Sequence, residues 1–261
     1  MQDMLTTTPV VLSINSLDPS GGGGISAGIE TLASLGCHCT PIISQLAARD
    51  TNNEIDNQIT DSLLLVEQIR AVLADIPVHL FNIGELASIG NIEAMHTILN
   101  DYPDIPVVLH FRLDALDKKI GLDQALCNLL LPQTHLLILN KHDALALAPG
   151  ADNLSAGAQE LLEYGCDNIL ICNSNDGNPD LYNHWFSSHS NNQCYQWQRL
   201  PDSFLGAADT LAAAASGYLA HGLSLAESIQ QAQKFTWESL KQGKRFGMGD
   251  LLPDRMHWSK N

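Results

Sequence analysis

The sequence predicts an α/β fold, a mostly parallel sheet covered by helices on both faces with antiparallel strands at an edge. Three observations carry this. Short apolar runs rich in branched residues alternate along the chain with longer stretches of helical periodicity. Those runs are nearly continuous in apolar residues, as strands buried on both faces are. Late in the chain, "LYNHWFSS" (181–188) and "QCYQWQRL" (193–200) read as a hairpin that supplies the antiparallel edge.

In order, "PVVLSIN" (9–15) is a strand that runs into a polar, glycine-rich loop, "SLDPSGGGG" (16–24). The stretch "ISAGIETLASLG" (25–36) is a helix with a glycine stop at Gly36. "HCTPIISQLA" (38–47) is the next strand, followed by a polar loop and the amphipathic helix "DSLLLVEQIRAVLAD" (61–75). A short strand "VHLFNIG" (78–84) leads to a helix in "IEAMHTILND" (92–101). "IPVVLHF" (105–111), "HLLILN" (135–140) and "NILICNS" (168–174) are further strands, each preceded by a helical segment. No repeat or low-complexity linker interrupts the pattern, so residues 1–261 read as one domain, with residues 1–8 a disordered lead-in.

Composition narrows the function. The chain is 45% hydrophobic and 16% charged, with 29 Asp plus Glu against 13 Lys plus Arg and a net charge of -16. Such a balance argues against nucleic acid or an anionic membrane as partner. A small anionic substrate remains open, because a few local donors outweigh distant, screened charge. "MQDMLTTTP" has neither a basic residue nor an apolar run, so no targeting segment is expected and the cytoplasm is the expected compartment. Six cysteines at irregular spacing read as reduced thiols, and "GCHC" (36–39) lacks the second pair a structural metal needs.

Three loops at strand ends carry chemistry, because open α/β sheets bind ligands there. The four glycines of residues 21–24 let backbone amides approach a ligand, although a flexible surface loop is a competing reading. "LNKHD" (139–143) spaces Asn140 and Asp143 to face one pocket, where they suit hydrated magnesium; either is equally a helix cap. Gly206, Ala207 and Ala208 precede an alanine-rich helix, and such an N-terminus attracts anions. Asp209 beside them reads as a general base or as a cap. Together the three loops suggest phosphoryl transfer to a hydroxyl, with Asp209 taking the proton.

The stretch "LDPSGGGGISAGIETLASLGCHCTPIISQLAARDT" (17–51) resembles the opening of the hydroxymethylpyrimidine and phosphomethylpyrimidine kinases of thiamine biosynthesis, in the ribokinase superfamily. It keeps Asp18, Pro19, Ser20, Gly21, Gly22, Gly24, Ile25 and Ala27 of their pattern. "NIGELAS", "LNKHDA" and "LGAADTLAAAASGYLAHGLSLAESIQQA" extend the resemblance to about residue 240. It implies a ribokinase-like three-layer α/β/α sandwich and an enzyme using ATP and Mg2+ on a pyrimidine alcohol and its phosphate. It also implies Asp209 as base, an anion hole at residues 206–208, and Asn140 and Asp143 supporting magnesium and phosphate. Asp18, Gly22, Arg49 and Glu85 would surround the acceptor, and a homodimer is an option. A pyridoxal-type vitamin kinase and a catalytically silent pyrimidine- or nucleotide-binding relative are the alternatives.

The departures from that family are specific. Gly206-Ala207-Ala208-Asp209 replaces Gly-Thr-Gly-Cys and is closer to the Gly-Ala-Gly-Asp of sugar kinases, so Ala208 would be strained if its φ were positive. Gly28, Arg49 and Glu85 stand where the pyrimidine pocket has Asp, Gln and Met. His110-Phe111-Arg112-Leu113 replaces Asp-x-Val-Met, and Asn173-Ser174-Asn175 replaces Lys-Gly-Gly. Arg49 is expected to pair with Glu85 or with a substrate phosphate. The C-terminal "FGMGDLLPDRMHW" (246–258) is expected to pack against the sheet rather than close over the site.

Overall fold

The computed structural model describes residues 8–113, 121–174 and 179–260. All but the last residue of the lead-in, and Asn175, therefore lie outside the described residues. Among the described residues nine strands form one sheet in the order β3-β2-β1-β4-β5-β6-β7-β8-β9. Strands β1 (Val10–Leu17), β2 (His38–Arg49), β4 (Leu80–Ile83), β5 (Val107–His110), β6 (Leu136–Asn140) and β7 (Asn168–Ser174) are parallel. At one edge β8 (Leu181–Ser187) and β9 (Gln193–Trp197) form the expected antiparallel hairpin.

The other edge differs from expectation. Residues read as a polar loop form β3 (Glu54–Ile59), antiparallel to β2. Five of its six side chains are exposed, so no buried face marks the strand; backbone pairing from Gln45↔Ile59 onward defines it.

Helices α1 (Gly24–Ser34), α7 (Ala207–Ala220) and α8 (Leu225–Lys241) cover one face, and α2 (Ser62–Leu73), α3 (Ile89–Asp101), α4 (Leu122–Ala125), α5 (Lys141–Leu147) and α6 (Leu154–Leu162) cover the other. The strands feed both cores alternately. Leu12, Phe81, Leu109, Leu137 and Ile169 point into the core beneath α2–α6, while Val11, Leu80, Val108, Leu136 and Leu170 point toward α1, α7 and α8. This double burial explains why the runs look continuously apolar.

On the α7 side, Ala212, Ala213, Ala214 and Ala215 are fully buried. Small side chains let this helix approach the sheet closely and aim its N-terminus at the carboxyl ends of β1, β4 and β5. The cysteines are free thiols. Burial pushes Cys39, Cys127, Cys166 and Cys172 up to about 12, so they stay protonated. No helix among the described residues is long and apolar enough to cross a membrane.

Candidate active site

The sheet order reverses at β1, which has β2 on one side and β4 on the other. In such sheets the crevice beyond the carboxyl ends at the reversal is the ligand site. Here it holds a cavity of ≈ 330 Å³, within the range of small-molecule sites. The loop after β1, the ends of β4, β5 and β6, and the start of α7 wall it.

Asp209 is the third residue of α7 but does not cap it. The N-cap is Gly206, in the left-handed region (φ 79, ψ 17), with no side-chain cap. The Asp209 carboxylate instead leaves its own helix: Oδ1 accepts from Asn15 Nδ2 at 2.8 Å, and the Gly24 N–H also donates to it. About 20% of the side chain remains exposed, and it lines the cavity. Burial disfavours its ionised form, but His110, the Asn15 amide, the Gly24 N–H and Arg112 outweigh this and hold the carboxyl below the usual carboxylate value.

His110 is buried, and that pushes its imidazole below the ordinary value; Asp209 pulls it up and Arg112 adds a small downward push. The pair therefore rests as a carboxylate beside a neutral imidazole. Asp209 keeps its Asn15 and Gly24 donors in either state of the ring.

Glycine is required at two contacts. A Cβ on Gly206 would lie 1.8 Å from the Gly22 carbonyl oxygen, and one on Gly24 (φ +58) would lie 2.2 Å from the Ser16 carbonyl oxygen. Thus the loop 18–24 and the start of α7 interlock. A Cβ on Gly23 would stand 3.1 Å from Asp209 Oδ2 and 3.4 Å from Asp18 Oδ2, so the two carboxylates flank this glycine. Ala208 carries no strain, because the positive-φ non-glycine residues described are Ala87 and Asn173.

The other candidates fall into two groups. Asp18, Arg49, Glu85 and Asn140 line the cavity with Gly206, Ala207 and Ala208. Asp18 also organises its loop, accepting from Ser20 N and Oγ (2.8 and 2.7 Å) and from Gly23 N (2.9 Å). Arg49 turns toward this loop, its Nε 3.9 Å from Asp18 Oδ1.

Gly22 and Asp143 stand behind the wall. Gly22 faces Leu205, leaving Gly23 and Gly24 to face the cavity, while Gly28 packs over Ser13 Oγ within α1. Asn140 caps α5, accepting from Asp143 N at 2.8 Å and donating to Asp143 Oδ2 at 2.7 Å. The cap geometry and a place on the wall coexist: Asp143 braces Asn140.

Asn15 and Arg255 were not singled out from sequence, and His110 was noted only as a departure. Asn15, a polar residue ending an apolar run, accepts from Ser16 N and Glu85 N (2.8 and 3.1 Å) while it donates to Asp209. Arg255 is 2% exposed and donates to the carbonyls of Gly21 and Gly22, to Thr210 Oγ1 and to Glu30. The C-terminal stretch thus packs through Leu252 and Arg255, but Arg255 packs on the glycine loop, α1 and α7 rather than against the sheet, and Phe246 and Met248 are left exposed. Away from Asp209 the cavity is lined by Asn173, Asn183, Trp197, Gln233 and Trp237, tied by Asn183 and Trp197 donating to Gln233 Oε1 at 2.8 and 3.0 Å.

A sequence model of the phosphomethylpyrimidine kinase family matches residues 18–253. The hydroxymethylpyrimidine/phosphomethylpyrimidine kinase of Mycobacterium tuberculosis is 30% identical over 260 residues, covering 93% of this chain and 92% of that one. Among solved structures, Bacillus subtilis pyridoxal kinase in an ADP complex superimposes with a TM-score of 0.87 at 20% identity, covering 98% of this chain and 100% of that chain. A phosphomethylpyrimidine kinase from Clostridium difficile 630 does so with a TM-score of 0.74 at 21% identity, covering 88% and 99%. These superpositions agree with the ribokinase-like three-layer arrangement of the sheet and helices.

Proposed function

Because this chain belongs to the phosphomethylpyrimidine kinase family, we propose that it transfers the terminal phosphoryl group of ATP to hydroxymethylpyrimidine and to its monophosphate, in thiamine biosynthesis. The observation that carries the reading is an ionised carboxylate, Asp209, beside a helix N-terminus and open to the cavity.

Phosphoryl transfer needs positioning and charge stabilisation more than covalent help. The amides of Gly206, Ala207 and Ala208 stand at the positive end of a 14-residue helix and would hold the transferring phosphoryl oxygens. Asp209 would accept the proton of the attacking hydroxyl, with Asn15 fixing the carboxylate. Arg49 and Glu85 would hold the acceptor, and the arginine gives the monophosphate a cation to meet. The nucleotide base would lie against Trp197 and Trp237 at the far end of the cavity.

Magnesium fits this donor set through water. Among the described residues no group of three His, Cys, Asp or Glu gathers to form an all-protein site. Magnesium typically keeps several waters and leans on substrate phosphates, and the Asn140 amide, braced by Asp143, offers one oxygen. When bound it would neutralise phosphate charge.

The test is ADP release by the purified chain with ATP and magnesium against hydroxymethylpyrimidine, its monophosphate and pyridoxal. Turnover dependent on the pyrimidines supports the reading. Turnover with pyridoxal alone, or binding without turnover, contradicts it.

A further inference from the structure

The mechanism above leaves unused a buried ionisable group that stands against Asp209. His110 closes β5, is 6% exposed and lines the cavity. Its Nε2 stands 3.4 Å from Asp209 Oδ1, yet it is buried without a hydrogen-bond partner among the described residues. Leaving a buried polar atom unsatisfied is costly, and such atoms in native structures call for an explanation in function.

The surroundings leave the ring few influences. Strands β4 and β6, which flank it, and β1 beyond β4 contain no ionisable side chain. From α7 only Asp209 faces it, Arg112 follows two residues along its own chain, and Asp18, Arg49, Glu54 and Glu85 stand around the cavity. Burial disfavours the imidazolium, and in the Nδ1–H tautomer of the neutral ring Nε2 is a base 3.4 Å from the carboxylate.

We propose that His110 is the relay partner of Asp209, receiving on Nε2 the proton that the carboxylate takes from the acceptor hydroxyl. This rests on the kinase reading. As the substrate O–H bond breaks, its electron pair forms the new O–P bond and the proton moves to Asp209. The P–O bond to the leaving ADP breaks with its electron pair going to ADP. The Asp209 O–H bond then breaks as an N–H bond forms at His110, which restores the carboxylate and leaves an imidazolium paired with it. After product release the proton passes back through Asp209, whose side chain is about 20% exposed, to water in the cavity. By their ordinary values an imidazole is a stronger base than a carboxylate, which gives the transfer its direction.

The test compares pH profiles of kcat/KM for the acceptor in the wild type and His110→Gln. In the wild type the acid limb belongs to the coupled pair. In the variant the limb moves to lower pH, toward the carboxylate alone, and the plateau falls about 10²-fold, the lower end for loss of a positioned proton carrier. A variant with the wild-type limb and plateau overturns the relay alone, whereas a wild type that turns over no acceptor removes the kinase reading and the relay together.

Imidazole titration by NMR in the wild type and Asp209→Asn provides a readout that does not depend on the His110 variant folding. Loss of the neighbouring carboxylate shifts the His110 titration down by about one unit. An unmoved titration overturns the pairing.

Discussion

Asn15 joins three parts of the site with one amide: its oxygen accepts the N–H groups of Ser16 and Glu85, and its nitrogen donates to Asp209. Asn15→Asp keeps the shape but replaces the donor with a second acid against Asp209 Oδ1. Like charge raises a carboxyl pKa, so the acid limb of turnover should move to higher pH and neutral-pH turnover should fall by about tenfold or more, read in a pH profile. An unchanged limb would show that Asn15 does not set the charge of Asp209.

His110 makes a second prediction, in stability. Its folded pKa lies below the 6.5 of the unfolded chain, so between the two values the unfolded state binds more protons. Stability is then fully present above 6.5 and falls as pH drops below it, by up to about 1.4 kcal/mol per pH unit for one proton. Denaturant unfolding of His110→Gln should show a shallower slope than the wild type, and equal slopes would refute a buried neutral ring.

The decisive contact between elements is that of the loop 18–24 with the start of α7. Gly206→Ala meets both a positive φ and the Gly22 carbonyl oxygen at 1.8 Å, so it should cost more than about 2 kcal/mol and abolish turnover. Gly21→Ala, also at positive φ (+75) but with nothing within 4 Å, should cost about 1 kcal/mol and leave most turnover. Thermal unfolding and turnover of the two variants check this, and equal losses would disprove the interlock.

The two residues that shape this contact from outside the chain's local pattern, Asn15 and Arg255, reach partners 194 and up to 234 positions away. Periodicity and glycine runs reveal buried strands and loops, so the parallel strands, the edge hairpin and the start of α7 were legible. They carry no sign of which distant side chain a polar strand-end residue will meet. β3 was illegible for a different reason: its exposed side chains show no core-facing period, and only its pairing with β2 makes it a strand. Asn140 and Asp143 were legible as a pair, but their division into a wall residue and its brace follows from the turn of α5.

At the scale of the molecule one sheet, of nine strands among the described residues, runs from β3 to β9, and the cavity draws its walls from β3 at one side to β9 at the other. A ligand there bridges most of the sheet. Scanning calorimetry should therefore show one unfolding transition, raised by about 2.7 kcal/mol, or roughly 5–10 °C, at nucleotide a hundredfold above its Kd. Two transitions, only one of them moved by ligand, would break the molecule into separate units.

The sheet, the glycine loop and the alanine helix converge on one carboxylate, so the most direct measurement is turnover and thermal unfolding of Asp209→Asn beside the wild type, with ATP and hydroxymethylpyrimidine. Asparagine retains an oxygen for the Asn15 amide but cannot take a proton. The account predicts a folded protein with nearly unchanged unfolding temperature and turnover lowered about 10²- to 10⁴-fold. An Asp209→Asn protein that turns over at the wild-type rate would contradict it.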